Sequence, residues 1–277
     1  MAAWIHARRQ FQWGLLVAAA FLAFGAQAQA QAPATQEFQP TVGQAGKDVV
    51  WVPSPQALVD KMLDMAKVTP ADFVMDLGSG DGRTVITAAR RGVRAMGVEY
   101  NPDMVALSRR NAAAAGVGDK AIFVQADIFQ TDISKATVIT LFLLTDLNLK
   151  LRPTLLTLKP GTRVVSNTFK MGEWEPDQSF ELGCDTYCTA YLWTVPARVE
   201  GRWQLAKGEL ALKQEFQKVT GTLKNGASAT QITNGRLNGS EISFVAGRSE
   251  YRGRVNDKTM EGTVSNGGNS RTWSARR

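Results

Sequence analysis

The sequence has little of the residues on which many hydrolytic and metal-dependent sites rely. Its 277 residues include one histidine, His6, and two cysteines, Cys184 and Cys188. A histidine base, a Ser-His-Asp triad or a histidine metal cage needs a histidine in the folded part of the chain, and His6 precedes every predicted element. Two cysteines are too few for a disulfide scaffold or a cysteine-built zinc site. We therefore expect no His-dependent hydrolase and no metal site.

Long hydrophobic runs are also lacking. The longest apolar stretch, residues 13–26, is shorter than the roughly 20 residues that a helix needs to cross a bilayer. This excludes a polytopic membrane protein. The composition, with 44% hydrophobic and 21% charged residues, is typical of a globular protein, and the length predicts two domains.

Residues 1–30 have the organisation of a cleavable export signal. Arg8 and Arg9 give a basic start, residues 13–24 are apolar, and Ala-Gln repeats within residues 26–32 offer small-residue cleavage sites. The paired arginines also match a twin-arginine signal. We predict an exported, periplasmic protein. The alternative is an uncleaved segment that anchors the protein in the inner membrane.

Export affects what we expect of the two cysteines and of the partners. In an oxidising compartment Cys184 and Cys188 can form a disulfide, and two unpaired thiols are the alternative. The chain has a net charge of +7, and fourteen Lys and Arg against seven acidic residues follow from Arg198 onward. Because these charges are scattered among predicted strands, we expect a solvated face, no nucleic-acid partner, and at most association with the membrane or envelope.

The pattern along the chain predicts a linker and two domains. Residues 31–47 are rich in Gln, Ala, Pro and Gly without apolar periodicity, which indicates a linker. Residues 48–197 alternate β-rich runs with helical patterns, which predicts a doubly wound, mostly parallel, seven-stranded Rossmann-like sheet. The predicted strands cover residues 73–77, 95–99, 121–125, 137–144 and 163–168, and the predicted helices cover 55–67, with Ser54 as cap, 83–91, 102–115, with Asn101 as cap, and 147–158.

Residues 198–277 have a different pattern. Short alternating runs are broken by Gly and Asn, and weakly similar segments occur at residues 221–226, 235–244 and 253–264. Such segments are typical of successive hairpins. We predict a small antiparallel β domain without a catalytic motif.

The first strand-to-helix turn carries the strongest chemical signal. The strand FVMDL runs into GSGDGR, so that Asp76, Gly78, Gly80 and Gly82 lie on this turn. Glycines allow a tight turn and a close approach of ligand to backbone, and the following helix N-terminus offers free N–H groups. A nucleotide-like ligand fits such a site.

Two further acids follow the next strands in the order that a nucleoside site requires. Glu99 ends the second strand, where a carboxylate can accept both hydroxyls of a ribose, and Asp127 follows the third. A dinucleotide-dependent dehydrogenase is the competing interpretation. It is disfavoured because the spacing is GxGxG rather than GxGxxG and because Asp76 precedes the glycines.

These motifs resemble those of the class I S-adenosylmethionine-dependent methyltransferases, over about residues 48–196. DLGSGDGR at 76–83 and GVEYNP at 97–102 are similar to the family of the ATP synthase c-subunit lysine N-methyltransferase, and DVVWVPSPQ and LKPGTRVVS are similar to its bacterial relatives. The resemblance implies S-adenosyl-L-methionine as cofactor and a protein lysine as methyl acceptor. It implies that Asp76, Gly78, Ser79, Gly80 and Gly82 line the methionine part of the cofactor, Glu99 its ribose and Asp127 its adenine, with Tyr100 and Asn101 beside them.

The segment after the fourth strand, LLTDLN at 143–148, differs from the Asn/Asp-Pro-Pro-aromatic motif of enzymes that methylate adenine or glutamine. Asp146 and Tyr100 are the candidate catalytic residues. The alternative for Asp146 is that it caps the following helix. Because the cofactor is made in the cytoplasm and the chain carries an export signal, a second hypothesis is an exported, non-catalytic cofactor-binding or scaffolding protein on a methyltransferase fold.

Overall fold

A computed structural model of the chain describes residues 37–277. The predicted export signal, His6 and the first part of the predicted linker lie outside the described residues. Within residues 37–277, no helix combines the length and hydropathy that a membrane-spanning segment requires. The helices are α1 (Gln56–Met65), α2 (Arg83–Arg90), α3 (Pro102–Ala114) and α4 (Thr145–Leu155), and the strands are β1 (Phe73–Leu77), β2 (Arg94–Glu99), β3 (Ala121–Gln125), β4 (Val138–Leu141), β5 (Arg163–Asn167), β6 (Gln178–Glu181), β7 (Thr189–Thr194), β8 (Gly201–Leu205), β9 (Glu209–Glu215), β10 (Lys218–Asn225), β11 (Ser228–Asn238), β12 (Glu241–Ala246), β13 (Ser249–Asn256), β14 (Thr259–Asn266) and β15 (Asn269–Arg276).

The first seven strands form one sheet in the order β3-β2-β1-β4-β5-β7-β6. β1 to β5 are parallel, whereas β7 is antiparallel to both β5 and β6. The strand order reverses between β1 and β4, and a sheet of this kind binds ligands in the crevice at that point. The predicted doubly wound sheet of seven strands is confirmed. The sequence pattern did not predict β6 and β7 individually.

Several element boundaries differ from the sequence prediction by one to three residues, and two of these differences bear on the cavity. α1 begins at Gln56 with Pro55 as its N-cap, because the hydroxyl of Ser54 is buried and accepts a hydrogen bond from Asn167 Nδ2 at 3.0 Å instead of capping the helix. β4 ends at Leu141 rather than at residue 144. Residues 142–144 leave the sheet there and line a cavity. The predicted cap of α3 is present, since the Asn101 side chain accepts from two backbone N–H groups of the first turn.

The last eight strands form a closed antiparallel barrel in the order β10-β11-β12-β13-β14-β15-β8-β9. The sequence prediction of an antiparallel β domain is confirmed. Its interior holds Trp203, Phe244, Tyr251 and Trp273, and the rings of Phe244 and Tyr251 stack with centroids 4.7 Å apart. The barrel is closed by two residue pairs between β15 and β8.

The barrel packs against the segment that joins β5 to β6. Trp174 in this segment is completely buried, and the ring of Phe216, between β9 and β10, stacks on it at 6.1 Å. Gln217 Nε2 donates to the carbonyl of Glu175 at 2.7 Å, and Arg236 pairs with Asp177 at 2.7 Å. A buried aromatic contact with a polar rim therefore joins the sheet to the barrel.

We expect Trp174→Ala to lower the free energy of unfolding by about 3–5 kcal/mol, the range for loss of a large buried aromatic side chain. Trp174 packs against both Trp193 and Phe216. Chemical denaturation of the full chain measures the loss, and Val42→Ala, at a position 64% exposed, is the control with a change within about 0.5 kcal/mol. A loss below about 1 kcal/mol for Trp174→Ala would contradict the importance of this contact.

Candidate functional site

A cavity lies at the carboxyl ends of the parallel strands. Its walls come from the turns after β1, β2 and β3, from the last residue of β4 and residues 142–144 after it, and from residues 44–54 ahead of α1. Phe169 and Tyr187, which follow β5 and precede β7, complete the lining. Of the residues that the structure describes, none of those lining this cavity belongs to the barrel. The cavity therefore belongs to the sheet.

The glycine turn forms one wall, in a conformation that explains its composition. Gly78, Gly80 and Gly82 have φ values of +85°, +54° and +83°, which L side chains rarely adopt. A Cβ on Gly80 would lie 2.7 Å from Nε1 of Trp51. Gly78 and Gly80 line the cavity, whereas Gly82 does not: a Cβ there would lie 2.7 Å from the ring of Phe123. Close packing beneath the turn therefore explains the glycine at position 82, and its contact with the cofactor stays a prediction.

Asp76 lies near the end of β1 inside the protein and still lines the cavity. Asp76 is 6% exposed, and its Oδ1 accepts a hydrogen bond from the Thr140 hydroxyl at 2.6 Å. Burial raises the pKa of Asp76 to about 7, and the nearby carboxylates of Glu99 and Asp81 act in the same direction, while the Thr140 hydroxyl opposes the shift. A cationic ligand group at this point would stabilise the ionised form.

Glu99 is oriented by the backbone around it. Oε2 accepts from the N–H of Gly80 at 3.0 Å, and Oε1 accepts from the N–H of Asn101 at 2.9 Å. Each carboxylate oxygen has a second lone pair, so the group can still accept two hydroxyls. The Asn101 side chain is used in the α3 cap, although the residue lines the cavity.

Ser79 lies beside the glycines with a buried hydroxyl. Within residues 37–277, its Oγ finds no hydrogen-bond partner. Ser79 also lines the cavity. This oxygen is inaccessible and would lie 2.5 Å from a Cβ on Gly97, so the hydroxyl of Ser79 packs against β2.

Asp127 and Tyr100 both contact Lys47, which lies at the end of the predicted linker. Lys47 Nζ lies 2.8 Å from Asp127 Oδ2 and 4.8 Å from the centroid of the Tyr100 ring, and Tyr100 is 52% exposed. The hydrogen bond from Lys47 lowers the pKa of Asp127. Asp127 is therefore anionic and held at the cavity, where the resemblance placed the adenine.

Residues 43–51 form a hairpin over the glycine turn, which we call the N-terminal hairpin. Gly43 N donates to Trp51 O at 2.9 Å, Trp51 N donates to Gln44 O at 2.8 Å, and the indole of Trp51 covers Gly80. Residues 44–47 thus line the cavity rather than act only as a linker. Sequence reasoning missed this because the segment has no periodicity; its one signal was the similarity of DVVWVPSPQ to family members.

The structure does not bring Asp146 into the cavity. It is exposed in the first turn of α4 and is not among the lining residues. It does not cap the helix either, because the N-cap is Leu144 and makes no side-chain cap hydrogen bond. The catalytic role of Asp146 stays a prediction that the geometry of the cavity does not support. Asn148, two residues on, is completely buried and donates from Nδ2 to the carbonyl of Phe169 at 3.1 Å.

The first strand of the sheet leads through the buried Asp76 into the glycine turn, and further acids lie at the end of β2 and after β3. This arrangement defines a class I S-adenosylmethionine-dependent methyltransferase. The residues present fit the cofactor: the buried carboxylate of Asp76 would pair with its ammonium group, and the carboxylate of Glu99 would accept the hydroxyls of its ribose. Asp76, Ser79, Glu99 and Asp127 remain predicted contacts.

Comparison with known proteins gives the family. The model of the ANTKMT methyltransferase domain matches residues 76–178. A protein-lysine N-methyltransferase of Saccharolobus islandicus is 46% identical over 137 residues, which cover 48% of this chain and 85% of that protein. The ATP synthase c-subunit lysine N-methyltransferase of Xenopus laevis is 34% identical over 140 residues, covering 50% of this chain and 62% of that protein.

A solved structure is also similar. It is an RNA methyltransferase from Salinibacter ruber in complex with S-adenosyl-L-homocysteine, with 51% identity and a TM-score of 0.51, covering 53% of this chain and 96% of that chain. The chain belongs to the family of S-adenosylmethionine-dependent methyltransferases that contains the ATP synthase c-subunit lysine N-methyltransferases. S-adenosyl-L-methionine is its cofactor.

We expect Asp76→Asn to stabilise the cofactor-free protein while abolishing cofactor binding. The folded-state pKa of about 7 exceeds the ordinary 3.8, so Asp76 favours folding at low pH and this contribution is lost as pH rises from about 4 to about 7. The gain in unfolding free energy on substitution should be larger at pH 8 than at pH 5, by about 2–3 kcal/mol.

Chemical denaturation at both pH values and calorimetric titration with S-adenosylmethionine measure the two effects. Wild-type affinity should weaken as pH falls below 7, because protonated Asp76 is neutral. Glu215→Gln, at an exposed carboxylate of the barrel, is the control and should change neither quantity. An equal stability gain at both pH values would contradict the buried, titrating carboxylate.

Proposed function

We propose that the chain transfers the methyl group of S-adenosylmethionine to the ε-amino group of a lysine in a protein. The observation that carries the proposal is the 46% identity to the Saccharolobus islandicus protein-lysine N-methyltransferase across 85% of that protein. The chain spans 62% of the Xenopus laevis relative, so the proposal extends to a protein lysine and not to the particular acceptor of that enzyme.

The cavity supplies what such a transfer requires from the protein. The bound cofactor provides a methyl group that is already activated for displacement. Asp76, just before the glycine turn, and Glu99, at the end of β2, would hold different parts of it and so fix its orientation. At the end of β4, Phe142 and Leu143 provide an apolar surface where a lysine loses water.

Loss of water lowers the pKa of a lysine amine, so that the neutral nucleophile forms close to the methyl group without a strong general base. Tyr100 stays a predicted catalytic residue, since its ring lines the cavity beside Lys47.

The test is transfer of tritiated methyl from S-adenosylmethionine by the full-length chain to total protein and, separately, to total RNA. We expect label in protein, located on lysine by mass spectrometry, and at least a tenfold loss of rate for Glu99→Ala. Glu215→Ala, in the barrel, is the matched control with an unchanged rate.

Two results would overturn the proposal. Label in RNA alone would assign this chain the acceptor class named for the Salinibacter ruber protein. Cofactor binding without transfer to either acceptor would favour the non-catalytic, scaffolding alternative.

We also propose that the chain is exported to the periplasm, with inner-membrane anchoring as the alternative. The disulfide between Cys184 and Cys188 supports this, because disulfides persist in oxidising compartments. Fractionation of cells that express the full chain, with N-terminal sequencing, should place it in the periplasm with a new N-terminus within residues 26–32. An intact N-terminus in the membrane fraction would favour the anchor, and recovery in the cytoplasm would contradict export.

A further inference from the structure

Three aromatic rings from three separate segments meet at the cavity, and we call them the aromatic wall. Phe142 follows β4, Phe169 follows β5, and Tyr187 precedes β7. The ring of Phe142 lies 6.2 Å from that of Phe169 and 5.4 Å from that of Tyr187, and Phe169 and Tyr187 are 6.2 Å apart. All three line the same cavity as the glycine turn, at the carboxyl ends of β4 and β5 and ahead of β7.

The backbone on both sides of the wall is held in an uncommon conformation. Thr168, next to Phe169, has a φ of +62°, and Tyr187 has a φ of +57°. Non-glycine residues in this region are strained, and such strain persists where the surroundings hold it. The Thr168 N–H donates to Thr189 O at 2.6 Å, and Asn148 Nδ2 donates to Phe169 O. The turn that presents Phe169 is thus fixed from α4 and from β7.

Tyr187 is carried by a short loop that a disulfide closes. Cys184 and Cys188 are bonded, and Cys188 is buried next to the start of β7. The N–H of Leu182 donates to the carbonyl of Cys188 at 2.9 Å, which pairs the two ends of the loop. Tyr187 itself is 40% exposed, so the disulfide anchors a ring that solvent and an incoming acceptor can reach.

The chemistry of the wall fits an alkylammonium group better than a flat base. A cation is attracted to the face of an aromatic ring within about 6 Å of its centroid. The Tyr187 ring is inclined by 64° to the Phe142 ring and by 41° to the Phe169 ring, so the three rings do not form one flat surface. A nucleobase instead stacks on a flat platform. The loop also contains the acid Asp185, which adds a charge of the sign that attracts a lysine.

We propose that Phe142, Phe169 and Tyr187 form the subsite that receives the acceptor lysine, and that the Cys184–Cys188 disulfide holds Tyr187 in this subsite. The subsite binds the ammonium group and its aliphatic chain on entry, before the amine loses its proton beside the cofactor. This inference rests on the proposed lysine methylation. It adds that the acceptor binds more weakly when the Cys184–Cys188 disulfide is reduced.

The first test is a direct binding measurement that needs no activity. Saturation-transfer NMR with n-butyltrimethylammonium, a mimic of the lysine side chain, should detect binding to the full-length chain. Tyr187→Ala and Phe169→Ala should abolish it. Phe180→Leu is the matched control, because Phe180 has a lysine ammonium, that of Lys61, 4.4 Å from its ring but is not a lining residue. No binding to the wild type, or binding that survives both substitutions, overturns the subsite.

The second test separates this proposal from the proposed function. With a lysine acceptor, Tyr187→Ala and Phe169→Ala should raise KM for the acceptor about 5- to 20-fold, in line with a cation–ring contact. The Kd for S-adenosylmethionine should stay within about twofold, and Tyr187→Phe should restore the wild-type KM because it keeps the ring. If lysine is methylated but these KM values do not change, only the subsite fails.

If the wild type labels no lysine, the proposed function fails, and the NMR result decides whether the aromatic wall binds alkylammonium groups at all.

The third test addresses the disulfide. Reduction of the wild type, and the double variant Cys184→Ser with Cys188→Ser, should raise KM for the acceptor to a similar extent, and the double variant should not respond to reductant. Circular dichroism and thermal unfolding check that each variant is folded. An unchanged KM after reduction would overturn the role of the disulfide.

Discussion

The buried carboxylate of Asp76 is the constraint on which the site depends. Near the end of a central strand it can be neither fully hydrated nor fully paired within the protein, and the hydrogen bond that it accepts comes from the neutral hydroxyl of Thr140. The fold therefore keeps a carboxylate whose ionisation is unfavourable in the free protein, and a cationic ligand group would offset that free-energy cost. The neighbouring Glu99 and Asp81 increase that cost in the free protein and increase the attraction for the cation. Ionised Asp76 thus lowers the stability of the free protein and raises its affinity for a cationic ligand.

The topology explains how the remaining walls meet around this carboxylate. Parallel strands end at one edge, and the reversal of strand order opens the crevice there. The antiparallel β7 then brings the start of its own strand to the same edge, together with the disulfide loop and Tyr187. The N-terminal hairpin covers the glycine turn through Trp51 and reaches Asp127 through Lys47. The glycine turn of the cofactor cavity and the proposed acceptor subsite thus involve different segments of the chain.

Much of the fold could be predicted from the sequence because its signals are local. β1 and β3 are apolar runs bounded by turns, and both were predicted with the observed limits. The Asn101 cap and the glycine turn are equally local. Tyr187 and Lys47 could not be predicted as cavity residues, because their positions depend on β7 pairing with β5 and on a hairpin without periodicity. The exposed position of Asp146 could not be predicted for a related reason: the chain leaves the sheet three residues earlier than the sequence predicts, and Asp146 lies in the first turn of α4.

The closure of the barrel through only two residue pairs has a consequence for the assembly of its strands. β14 pairs with β15 over eight residues, but β15 joins β8 only through Ala275 with Leu205 and Arg276 with Gln204. The ring of hydrogen bonds therefore closes only when β15 is in place. Without β15 the barrel has two unpaired edges, at β8 and β14, that can pair with other strands. Correct assembly therefore requires β15 to pair with both edges before another strand does.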